Sequence, residues 1–136
     1  MGLTFEVPGE PRGKGRPRFS GGHAYTDSET KAYENKIKAC YQMVAKGYRF
    51  PDNASLLVEV TAVYGIPKSA TKAAKASMEA NQTRPHNKPD LDNVIKAVLD
   101  ALNGVAYKDD SRVVGIYSQK VYGDDPKLII TIKEVI

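Results

Sequence analysis

At 136 residues, with 41% hydrophobic and 26% charged residues, the chain is long enough to be one soluble domain with its own core. Its single cysteine, Cys40, excludes an intramolecular disulfide and a thiolate metal cluster, and no apolar run approaches the roughly 20 residues that span a bilayer. A formal charge of +4 is weak evidence for a polyanionic partner until its distribution is considered.

Leu3 to Val7 reads as a first strand closed by Pro8-Gly9, and Glu6 and Pro8 interrupt any secretory leader pattern, so a cytoplasmic protein is expected. Gly13 to Phe19 is too rich in glycine and proline for a helix. Phe19 to Tyr25 reads as a small hairpin turning at Gly21-Gly22. Thr26 with Glu29 has the spacing of a capping box, opening a helix whose stripe is Tyr33, Ile37, Tyr41 and Val44 and which stops near Gly47. Cys40 sits among apolar residues at helical spacing and reads as a small core residue.

Pro51-Asp52-Asn53 marks a turn, and Leu56 to Tyr64 alternates as a clear strand. Ser69 to Ala80 has helix propensity but little to bury, so a peripheral helix is expected, then a polar loop to Pro89. Asp92 or Asn93 can cap the next helix, with Val94, Val98, Ala101 and Leu102 as its stripe and Asn103-Gly104 as its stop. Val113–Val121 and Leu128–Val135 read as strands joined by a hairpin-type loop. The whole chain, 1–136, is therefore expected to be one α+β domain with a mixed, mainly antiparallel sheet flanked by helices.

The charges are segregated along this order. From Pro11 to Thr26 there are four basic residues (Arg12, Lys14, Arg16, Arg18) and no acidic one. Lys68 to Lys88 is basic again, with Arg84 and Lys88 near its end, whereas aspartates dominate beyond Pro89. An acidic knot between basic segments suits a polyanion held by cations while a metal acts at one phosphate.

The knot is Asp90-Leu91-Asp92-Asn93, answered by Asp109-Asp110. After Pro89 an extended backbone is favoured, which would project Asp90 and Asp92 to one side, towards one cation. The bland reading is that these acids cap a helix and a turn, but two pairs exceed what capping needs. An EF-hand fails, since Ile95 and Ala101 occupy the positions that require glycine and glutamate. Lys96, one turn after Asp92, fits a surface ion pair with Asp92 or Asp100 as well as it fits a phosphate contact. Phe19, His23 and Tyr25 could stack on bases, though packing is the commoner role for such aromatics. The chain carries no nucleophile elbow or Walker loop, and no nucleotide cofactor is expected.

Lys88-Pro89-Asp90-Leu91-Asp92-Asn93, Lys96-Ala97, Asp100 to Gly104 and Tyr107-Lys108-Asp109-Asp110 resemble the RusA family of Holliday-junction resolvases, as does Lys14 to Phe19 at the N-terminus. The resemblance implies a small homodimeric endonuclease of bacterial or prophage origin that nicks four-way DNA junctions with Mg²⁺, or Mn²⁺ in its place. It implies catalytic roles for Asp90, Asp92, Lys96 and Asp110, with Asp90, Asp92 and Asp110 as metal ligands and Asp109 as the alternative to Asp110. Arg12, Lys14, Arg16, Arg18, Arg84 and Lys88 are the expected DNA contacts. A branched-DNA-binding protein without cleavage and a general metal-dependent nuclease are the competing readings.

Overall fold

The computed structural model describes residues 2–15, 18–25 and 27–135. In chain order its elements are β1 (Gly2–Pro8), β2 (Arg18–Ser20), β3 (His23–Tyr25), α1 (Ser28–Ala45), β4 (Ser55–Gly65), α2 (Lys72–Glu79), α3 (Leu91–Leu102), β5 (Val113–Gly123) and β6 (Lys127–Val135), with a 3₁₀ turn at Asp110–Arg112. The main sheet has the order β1-β6-β4-β5, in which β6 runs antiparallel to both neighbours and β5 runs parallel to β4. This is the expected mixed α+β arrangement.

Alternation builds the core. Phe5 and Val7 of β1, the even-numbered Leu56 to Tyr64 of β4, and Leu128, Ile130 and Ile132 of β6 are all buried. Against them lie Tyr33, Ile37, Tyr41 and Ala45 of α1, and Val94, Ala97, Val98, Ala101 and Leu102 of α3. Each large aliphatic side chain so buried contributes about 1.5–3 kcal/mol. The two helices also pack on one another, and this contact sets the face on which the site is built. The ribbon of β2 and β3 stands apart as its own two-stranded sheet, turning at Gly21 and Gly22 with φ of 58° and 81°.

Several local expectations are corrected. The cap of α1 is Asp27, whose carboxylate accepts from the Thr30 N–H at 2.8 Å and the Thr30 hydroxyl at 3.0 Å; Thr26, the expected cap, lies outside the described residues. Ala45 completes the α1 stripe, and Val44 turns outward. Cys40 is half-buried at the edge of the core. Phe19 is 75% exposed. The peripheral helix is shorter than Ser69–Ala80, begins at its cap Thr71 and buries no residue.

The largest correction concerns the last two strands. β5 and β6 form no hairpin, because β4 lies between them. Asp124-Asp125-Pro126 must cross two strand spacings, about 10 Å, a distance three extended residues can cover. The crossing runs over the end of β4 at Gly65, where a Cβ would lie 3.2 Å from the Pro126 ring. At Gly123 a Cβ would come within 2.7 Å of Val63, so glycine at both positions keeps the crossing tight.

Candidate active site

The acidic segment opens α3. Asp90 is its N-cap (φ −66°, ψ 151°), and its carbonyl accepts from the N–H groups of Asn93 and Val94. The cap thus falls two residues earlier than Asp92. Unlike the caps Asp27, Thr71 and Asp109, Asp90 makes no side-chain capping bond. Its carboxylate is therefore uncommitted to the backbone, the opposite of what the capping reading requires.

Three contacts hold this segment in place. The Tyr64 hydroxyl at the end of β4 donates to the Pro89 carbonyl at 2.8 Å, across from a cis Lys88–Pro89 bond. Burial pushes the Tyr64 phenol up to about 12, helped by the charges of Glu10 and Asp90 and by Tyr33. The Lys14 N–H donates to the Asn93 carbonyl at 2.9 Å. Gly13 packs so closely that a Cβ there would sit 2.8 Å from Asn93 and 2.9 Å from Pro89.

Because Asp92 lies inside the helix and Asp90 precedes it, the two do not share one extended face. Asp92, Lys96, Asp100 and Asp110, with Ile95 and Leu99 as an apolar floor, line an open depression of about 370 Å³. Asp90 instead lines the adjacent cavity of about 390 Å³, with Arg12, Lys88, Asn93, Glu29 and Tyr33. The Tyr33 hydroxyl there is buried, and burial raises its pKa against the opposing effect of Arg12. Among the described residues, no three His, Cys, Asp or Glu side chains converge closely enough to hold a metal unaided. The predicted trio is thus divided, with Asp92 and Asp110 on one side and Asp90 on the other. Two carboxylates in an open depression still suit Mg²⁺, which takes one or two protein carboxylates and completes its shell with water and phosphate oxygens.

The two later aspartates separate cleanly. Asp109 caps the 3₁₀ turn by accepting from the Ser111 N–H at 2.9 Å. Hydrogen bonds from the Ser111 side chain and backbone hold its carboxyl below the usual range, with Arg112 adding to the effect. Asp110 is the one that faces Asp92 and Lys96. Tyr107 anchors this loop: it is fully buried and its hydroxyl donates to the Leu99 carbonyl at 2.8 Å. Burial, reinforced by the charges of Asp110, Asp100 and Asp109, raises its phenol pKa. In the sequence Tyr64 stands out only as a residue on the alternating face of its strand, and Tyr107 only as part of the Tyr107-Lys108-Asp109-Asp110 motif.

The basic residues fall into three groups. Arg12 and Lys88 are exposed and line the Asp90 cavity. Lys14 and Arg84 are engaged internally: the Lys14 ammonium meets Glu34 at 2.7 Å and Asp100 at 3.1 Å, and Arg84 bonds Gln119 and the Lys120 carbonyl. Arg16 and the side chain of Arg18 lie outside the described residues. Lys96 forms no ion pair with Asp92 or Asp100, and exposed Lys108 and Arg112, unweighed in the sequence reading, flank Asp109-Asp110.

Comparison with known proteins places the chain in a family. The chain is 35% identical over 138 residues to the uncharacterized protein YqaN of Bacillus subtilis (strain 168), covering 98% of this chain and 96% of that protein. The family model for endodeoxyribonuclease RusA matches residues 8–133, which include the basic loop, the α3 acids and the Asp109-Asp110 turn. With that span matched, the chain belongs to the RusA family of endodeoxyribonucleases.

Proposed function

We propose that this protein resolves four-way (Holliday) DNA junctions as a homodimer, hydrolysing one phosphodiester per subunit with Mg²⁺, or Mn²⁺ in its place, to leave 5′-phosphate and 3′-hydroxyl ends. The observation that carries the reading is the meeting of Asp92, Lys96 and Asp110 in one open depression, beside an Asp90 whose carboxylate caps nothing. Family membership supports a divalent-metal-dependent endonuclease that acts on branched DNA.

Asp92 and Asp110 would hold the cation, with Asp90 at the mouth of the adjoining cavity. The bound ion would supply Lewis acidity and lower the pKa of the attacking water. Lys96 places a point charge beside the phosphate to offset charge as it develops. Arg12 and Lys88 would grip the strand that enters across the start of α3, with Arg16 and Arg18 extending the same basic loop. A two-fold dimer supplies the paired cuts that junction resolution needs.

The test compares a mobile four-way junction, a flap and a linear duplex, each with Mg²⁺ and Mn²⁺. Preferential paired nicking of the junction, lost in Asp92→Asn while binding persists, supports the proposal. Equal cutting of duplex would replace it with a general nuclease. Binding without nicking under either metal would replace it with a branched-DNA-binding protein.

A further inference from the structure

Lys14 belongs by sequence to the basic run that includes Arg12, yet its side chain is only 18% exposed and its ammonium lies between two carboxylates. One, Glu34 of α1, is itself 16% exposed; the other, Asp100 of α3, lines the same depression as Lys96. Lys96 and Asp100 are four residues apart on one helix, so their side chains are surface neighbours and an ion pair between them is within reach. That pair does not form, and Asp100 instead meets Lys14 at 3.1 Å. The backbone holds the arrangement: the Lys14 N–H is bonded to the Asn93 carbonyl, and the Gly15 N–H to the Thr30 hydroxyl at 3.0 Å. Gly15 also fits too tightly for any side chain, since a Cβ would fall 2.6 Å from that hydroxyl.

We propose that Lys14 is a positioning residue of the catalytic centre, holding Asp100 away from Lys96 so that the Lys96 ammonium stays free for the scissile phosphate. This rests on the phosphate-binding role given to Lys96 above. Lys14 then acts through Asp100 and touches no DNA. Burial opposes its charge, but the two carboxylates outweigh burial and the ammonium is held more firmly protonated than a free lysine.

The experiment uses Lys14→Arg, which keeps the pairing, and Lys14→Met/Glu34→Met, which removes the cation with its buried partner and so preserves folding. In the Met/Met variant the single-turnover nicking rate at saturating protein is expected to fall roughly 10- to 100-fold, less than the roughly 100- to 1000-fold for outright removal of a charge-stabilising group, because Lys96 is diverted and not deleted. Junction affinity should stay within about twofold, and its salt dependence should not change. Adding Asp100→Asn to the Met/Met variant restores the rate to within about threefold of Asp100→Asn alone, because a neutral amide cannot capture Lys96. Lys14→Arg behaves like the wild type.

A crystal structure of the Met/Met variant supplies the readout that needs no DNA, with the Asp100 carboxylate expected within about 4 Å of the Lys96 ammonium. Weakened affinity with a salt slope lower by about one, at an unchanged saturated rate, would make Lys14 a phosphate contact and overturn the proposal. So would a slow rate that Asp100→Asn does not rescue. If the wild type cuts no DNA, the proposed function fails on its own, and Asp100 remaining apart from Lys96 in that crystal structure still overturns the positioning role.

Discussion

Three aspartates stand at N-cap positions, Asp27, Asp90 and Asp109, and what their oxygens touch divides them. Asp27 and Asp109 accept backbone N–H groups, so their carboxylates serve local structure. Asp90 accepts none, so Asp90→Ala should leave stability nearly unchanged, where a working cap would lose about 1 kcal/mol. Urea titration without metal checks this, and a clear loss of stability would return Asp90 to a capping role. The pair Asp109-Asp110 is argued the same way. Asp110→Asn is expected to lower nicking by at least about 100-fold with folding intact, and Asp109→Asn to keep most activity, because asparagine can accept the same bond from Ser111. Comparable losses in both would mean that the turn, rather than one carboxylate, is what matters. Spacing marks these acids, but Asp27 and Asp90 share nearly the same backbone (φ −66° with ψ of 159° and 151°), so what each carboxylate touches depends on its tertiary surroundings.

Among the elements, α3 was the most legible, because Val94, Val98, Ala101 and Leu102 repeat at helical period and Gly104 closes the helix at φ 78°. Its start was displaced by two residues, since three neighbouring residues (Asp90, Asp92, Asn93) are all good caps and the packing of Pro89 against Gly13 and Tyr64 favours one. The link from α3 to β5 depends on Tyr107. Tyr107→Phe removes the bond to the Leu99 carbonyl at the end of the helix and should cost about 1–2 kcal/mol. Nicking should fall severalfold as Asp110 loses its fixed position. Urea unfolding and the nicking rate measure the two effects, and a variant as stable and active as the wild type would show the anchor to be dispensable. The hairpin expected between β5 and β6 failed because turn residues look the same whether the chain folds back on its neighbour or crosses over a third strand.

Across the molecule, the raised pKa values make alkaline stability a test of the packing. Tyr64 is pushed from 10.0 to about 12, Tyr33, Tyr41 and Tyr107 are raised too, and Lys14 lies above 10.5. Each group holds its proton more tightly folded than unfolded, so its contribution is complete below the unfolded pKa and is lost as pH rises through the folded one. The urea midpoint should therefore be flat near neutrality and fall between about pH 10 and 12, less steeply in Tyr64→Phe. A flat midpoint across that window would contradict the burial of these phenols and the Lys14 pairing.

By itself, the sequence determined the α+β class, the strands and helices that alternate clearly, and the acids and bases available for chemistry, because period and charge are local properties. The tertiary structure decided strand order, which aspartates share a depression, and that Lys14 and Arg84 are engaged within the protein while Arg12, Lys88 and Lys96 stay open. Those outcomes hang on contacts between residues as far apart as Lys14 and Asp100, which no local pattern encodes.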